Sequence, residues 1–201
     1  MMGETRRATS APWYGRQLCT WLISAFLLLM SPSLKALNAA STSRDQAVQL
    51  LKANVIVELA VLLKQKDATD PKDPFIIAVI GESRFTDELK AAAKGRKVQG
   101  RPIRIEFIQN LPEGRGCDLL FICHSEWPRA RSIVAWSRGK DILTVAEGDT
   151  LAAQGVMVNL LAKDETIKLG INQQSLDEEK INLGARLSGL SITLVHSKPK
   201  P

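Results

Sequence analysis

His124 and Ser125 stand side by side, and a histidine next to a serine is the first pair in this chain whose residue types suggest a reaction. A serine nucleophile needs a base that is held by a buried acid and aimed at the hydroxyl. The strand-to-helix elbow G-x-S-x-G would supply that geometry, and it does not surround Ser125. The other histidine, His196, falls in the C-terminal tail. The pair therefore reads as a turn residue followed by a helix-capping hydroxyl. The cysteines and histidines do not fall at the spacing of a structural zinc site. The expectation is a protein that is not an enzyme, with no cofactor and no metal.

A second candidate is Gly81, Glu82, Ser83 and Arg84, directly after the apolar run FIIAVI. Open α/β sheets bind ligands beyond the carboxyl ends of their strands, and a helix N-terminus there favours an anion. A single glycine is neither G-x-G-x-x-G nor a Walker loop, so a nucleotide site is not indicated. What remains is a small-molecule pocket in the turns after Gly81, Cys123 and Ala146, with Glu82, Ser83, Arg84, His124 and Ser125 as its candidate residues.

Cys117 and Cys123 invite a disulfide reading, but the segment between them, DLLFI, has the composition of a strand. Six residues of strand span roughly 20 Å, whereas bridged Cα atoms lie within about 7 Å. An extended segment keeps the two apart. Each is then free, paired between subunits or modified, and Cys117, at the edge of the strand, is the candidate redox residue.

The elements that must position these residues follow from periodicity. Residues 75–81 (FIIAVIG) read as a strand covered on both faces, and Phe85 and Leu89 open a helix that lays one edge on it. Before them, Ala47, Leu51, Val55, Leu59 and Leu62 recur at helical spacing, a helix that ends before the proline-rich DATDPKDP. Ile103, Ile105 and Phe107 alternate with polar residues, as in a more exposed strand. DLLFIC and ILTVA are buried strands flanking a helix over SEWPRARSIVAWSRG, with Ser125 as its N-cap and Gly139 after its end. Residues 149–154 make a short helical turn. The loop AKDE joins two strands into a β-hairpin, and residues 175–195 are predicted to form a helix. The order predicts an α/β fold, a mainly parallel sheet flanked by helices in a Rossmann-like three-layer arrangement, with a C-terminal antiparallel hairpin on one edge.

Charge narrows the function classes. The chain carries 27 basic and 21 acidic residues. The first forty residues hold Arg6, Arg7, Arg16 and Lys35 against Glu4; without these four and one, 23 and 20 remain, a net of +3. No stripe of Lys and Arg interleaved with aromatics survives, so nucleic acid is not an expected partner. Residues 1–40 read as an export signal: a positive start, an apolar run over residues 18–30, and small residues at Ala36, Ala39 and Ala40. Cleavage is expected near Ala39, leaving residues 41–201 as a single periplasmic α/β domain. An uncleaved membrane anchor is the alternative, although the run falls short of the roughly 20 residues that cross a bilayer.

The ordered set of motifs resembles the YfiR-type family of exported regulators. It comprises Lys52-Ala53; Gly81, Phe85 and Leu89; Gly100-Arg101-Pro102-Ile103; Cys117 to Ile122; Ile142 to Glu147; and Gly155, Met157, Asn159, Leu160, Ile171 and Asn172. The resemblance implies a periplasmic protein that binds the periplasmic domain of a membrane-bound diguanylate cyclase and represses cyclic di-GMP synthesis. It also implies a homodimer and redox-responsive disulfides, of which only Cys117 occupies a family position. Two departures stand out: residues 57–63 carry no aromatic and no Trp-Pro, and the disulfide set is incomplete. The expected partner-binding residues are Val55, Leu59 and Leu62 on the first helix. The alternative function is a periplasmic small-ligand sensor acting with a sensor kinase.

Overall fold

The computed structural model describes residues 31–64, 73–148, 150–163, 166–183 and 192–194. The chain divides into two units, residues 1–44 and 45–201. Of the first unit, the described residues are the opening of helix α1 (Ser31–Leu62). The expected export signal up to residue 30 lies outside the described residues.

The second unit is built on β2 (Phe75–Ile80), whose six residues are buried except for a half-buried Ile76. Burial on both faces explains its unbroken apolar run. It pairs in parallel with β4 (Arg101–Ile108) on one side and with β5 (Leu119–Ile122) on the other. Next come β6 (Leu143–Glu147) and β7 (Val158–Lys163), both parallel, and then β8 (Thr166–Ile171), antiparallel to β7. Two short strands close the edges, β3 (Lys97–Val98) against β4 and β10 (Ile192–Leu194) against β8. The sheet order is β10-β8-β7-β6-β5-β2-β4-β3. The mainly parallel sheet and the antiparallel hairpin are as expected. The hairpin is not the last strand pair, however, because β10 lies outside it.

Helices cover both faces. On one, Ile77, Val79, Leu119 and Phe121 pack with Ala53, Ile56 and Leu59 of α1 and with Leu89 and Ala93 of α2 (Thr86–Ala93). On the other, Ala78, Ile80, Leu120 and Ile122 pack with Ala130, Ile133 and Val134 of α3 (Ala130–Ser137). Asp87 and Glu88 in the first turn of α2 and Lys90 in its last match the helix dipole.

Two expectations about helices fail. Residues 175–195 do not form one helix: α4 (Gln173–Glu178) is short, and β9 (Asn182–Leu183) pairs antiparallel with β1 (Leu63–Lys64). Lys180 at φ +58° breaks the helical course, and β-branched Ile192 and Thr193 suit the strand they enter. Ser125 is not an N-cap either. Residues His124–Arg129 form a 3₁₀ segment capped by Cys123 with no side-chain bond, and Pro128 lies inside it.

The starts of three strands are fastened by one ion pair. Arg101 donates from Nη1 and Nη2 to the two oxygens of Asp118 at 2.9 and 3.0 Å. It also donates to the carbonyls of Asp73 at 3.0 Å and Pro74 at 2.7 Å. Asp118 accepts the Ile76 N–H at 2.7 Å. With side chains only 6% and 10% exposed, the pair joins β4, β2 and β5 at the end of the sheet opposite the cleft described below. Among the described residues no helix is long and apolar enough to cross a membrane.

Candidate functional site: a cleft at the strand ends

The chain leaves β2 towards β4 on one side and returns to β5 on the other. The loops after β2 and β5 therefore diverge, and a crevice opens between them at the carboxyl ends of the strands. A cleft of about 270 Å³ lies there, lined by Gln49, Lys52, Glu82, Ser83, Arg84, Phe85, Cys123, His124 and Glu147.

Local geometry explains the loop course. Gly81 has φ +94°, and a Cβ there would lie 2.5 Å from Ser125 Oγ and 2.7 Å from Glu126 Cγ. Only glycine allows both the turn and the approach. Ser125 Oγ accepts the Glu82 N–H at 2.9 Å, tying the two loops together. Ser83 Oγ accepts the Phe85 N–H at 3.3 Å. The Phe85 ring then meets Phe121 edge-on, with centroids 5.3 Å apart, and anchors the loop to the core. The His124 ring lies 4.0 Å from that of Trp127. Trp127 in turn occupies the space where Gly148 would carry a Cβ.

The floor is charged. Lys52 Nζ on α1 meets Glu147 Oε1 at the end of β6 at 3.0 Å, with side chains 11% and 24% exposed. Beside them, Gln49 Oε1 is buried with no hydrogen-bond partner among the described residues. Glu82 and Arg84 stand exposed at the rim. Two cations, two carboxylates, an imidazole and an unmatched amide oxygen suit a small polar molecule better than an apolar one.

Glu82, Ser83, Arg84 and His124 are thus brought together by the fold, while Ser125 supports the loop from behind. Gln49, Lys52, Phe85, Cys123 and Glu147 also line the cleft and were not among the expected pocket residues. Lys52 and Glu147 are the charged residues of LLKANVIV and ILTVAE, but nothing in the sequence pairs them with each other.

The expected partner-binding residues are placed differently. Val55 is 6% exposed and Leu59 fully buried, both in the core, and Leu62 is half-buried. Val55 and Leu59 offer no surface, because they form the side of α1 that packs on the sheet. Among the described side chains of the helix, the exposed large apolar residues are instead Leu50 and Val61. Cys117 and Cys123 are both free and buried. Desolvation pushes each thiol up to about 12, reinforced by Asp118 beside Cys117 and by Glu147 and Glu126 beside Cys123. Burial removes the thiolate character that the edge position of Cys117 had suggested.

No curated protein matches the chain. A profile of the YfiR/HmsC-like family matches residues 49–191, a span that runs from Gln49 on the cleft floor, through every strand of the main sheet up to β8, and beyond it. The chain belongs to the YfiR/HmsC-like family.

Proposed function

We propose that this protein is an exported, periplasmic regulator that binds the periplasmic domain of a membrane-bound diguanylate cyclase and represses cyclic di-GMP synthesis. The observation that carries the reading is the family match over residues 49–191. The N-terminal charge and apolar pattern supports export, with cleavage near Ala39. The regulator acts by binding, and a homodimer is part of the same reading. Deleting the gene tests it: cellular cyclic di-GMP rises, and re-expression of the exported chain lowers it again. An unchanged level in the deletion strain would contradict repression.

The cleft favours a second reading, a small-ligand sensor that works with a sensor kinase. Its basis is the Lys52–Glu147 floor beside the unmatched Gln49 oxygen. A thermal-shift screen of polar metabolites tests it, with Glu82→Ala/Arg84→Ala as the variant that must lose the response.

A further inference from the structure

Strand β4 closes the sheet on the side away from the hairpin, and β3 covers only its first two residues, Arg101 and Pro102. Beyond a single bond from the Ile103 N–H to the Arg96 carbonyl at 3.3 Å, no strand among the described residues lies against this edge. That bond fixes which way the main chain faces. Since Ile103 points outward, the period of two directs the N–H and C=O groups of Ile105 and Phe107 outward as well. Arg104, Glu106 and Ile108 point theirs towards β2. The edge over residues 104–108 therefore presents donors and acceptors in a row, the template for an added strand.

Charged side chains commonly guard such edges. Here Arg104 and Glu106, paired at 2.8 Å, stand on one face of β4 only. On the other face Ile103 and Ile105 are half-buried and Phe107 is 40% exposed. That face borders a groove of about 370 Å³ between β4 and α2, with Ala93, Ile103 and Ile105 among its lining. Its rim is basic. Arg96 is neutralised by Glu58 at 2.6 Å, and Lys90 lies 5.3 Å from the Phe107 ring. Lys94 and Lys97 are exposed and make no ion pair among the described residues. The dipole of α2 accounts for Lys90 in its last turn. Lys94 and Lys97 lie past its last residue.

We propose that this edge and groove receive an extended acidic segment of a partner protein. The segment adds as a strand along residues 104–108 and sets its acidic side chains against Lys94 and Lys97. A concave groove beside an aligned row of main-chain groups matches a peptide strand and not a lipid surface. A second copy of the chain fits poorly, because antiparallel self-pairing over residues 104–108 places Glu106 opposite its own copy. The proposal does not require the partner to be a cyclase.

The test titrates the full chain against a short fluorescent peptide alternating glutamate with valine, read by anisotropy. Binding is expected, with protection of the Ile105 and Phe107 amides from hydrogen exchange. Lys94→Glu/Lys97→Glu, both on the surface, should weaken it about tenfold. N-methylating alternate peptide bonds should abolish it while leaving the protein untouched. No binding, equal binding by the methylated peptide, or unchanged binding by the double variant would each overturn the proposal. So would capture by phosphatidylglycerol vesicles in place of the peptide.

Discussion

Replacing Arg101 by methionine removes the charge that fastens β2, β4 and β5 while keeping most of the side-chain volume. Asp118 would then hold a carboxylate in a site 10% exposed, still accepting the Ile76 N–H but without the guanidinium that balances its charge. Removing one partner of a buried ion pair costs about 3–5 kcal/mol, because the other charge is left uncompensated. The carbonyls of Asp73 and Pro74 also lose their donor, but they lie where the chain enters β2 and water can replace it. A loss of about 4 kcal/mol is expected, or roughly 8–16 °C in Tm for a domain of this size. Urea unfolding followed by the fluorescence of half-buried Trp127 and Trp136 reads it, with an unchanged m-value. Adding Asp118→Asn keeps an acceptor for Ile76 and removes the stranded charge, so the double variant should recover at least part of the loss. A single-variant loss below about 1 kcal/mol would refute the reasoning, since that is what an exposed pair contributes. So would a double variant no better than the single.

Three further outcomes follow from burial and backbone geometry. Leu59→Asp should unfold the protein, since it puts a charge at a fully buried position, whereas Val61→Asp, at 36% exposure, should leave the circular dichroism unchanged. Gly81→Ala should cost more than about 1 kcal/mol, read by urea unfolding, and should release the loop tie between Glu82 and Ser125, because it adds a Cβ at φ +94° against Ser125 and Glu126. In a Cys19→Ser background, Cys117 and Cys123 should resist a thiol reagent at pH 8 in the native protein and react once it is unfolded. Their folded pKa values, about 12, lie above the ordinary 9.0. The stability they contribute is therefore complete below pH 9 and is lost as pH rises towards 12.

The sheet was legible because its strands are uniform: FIIAVI and LLFI are apolar on both faces, LTVAE is interrupted only by Thr144 and its terminal Glu147, and no helical period fits them. The C-terminal segment was not, because Leu176, Ile181 and Leu183 fit a helical pattern that Lys180 interrupts by its backbone alone. Helix α1 carries apolar residues on several sides, so its period marked a helix without showing which edge faces the sheet. That is why Val55 and Leu59 were assigned to a surface they do not reach. The pocket residues after Gly81 and Cys123 were found from strand-end logic. The floor was missed because Lys52 and Glu147 lie far apart in sequence and are joined only by the packing of α1 over β6.

The most direct test of the proposed function is a pull-down of the tagged, exported chain from solubilised inner membranes, with mass spectrometry of what accompanies it. Recovery of a protein carrying a diguanylate cyclase domain, in amounts comparable to the bait, is the predicted result. If membranes that contain such cyclases yield none under either oxidising or reducing conditions, the binding on which the proposed repression depends is contradicted.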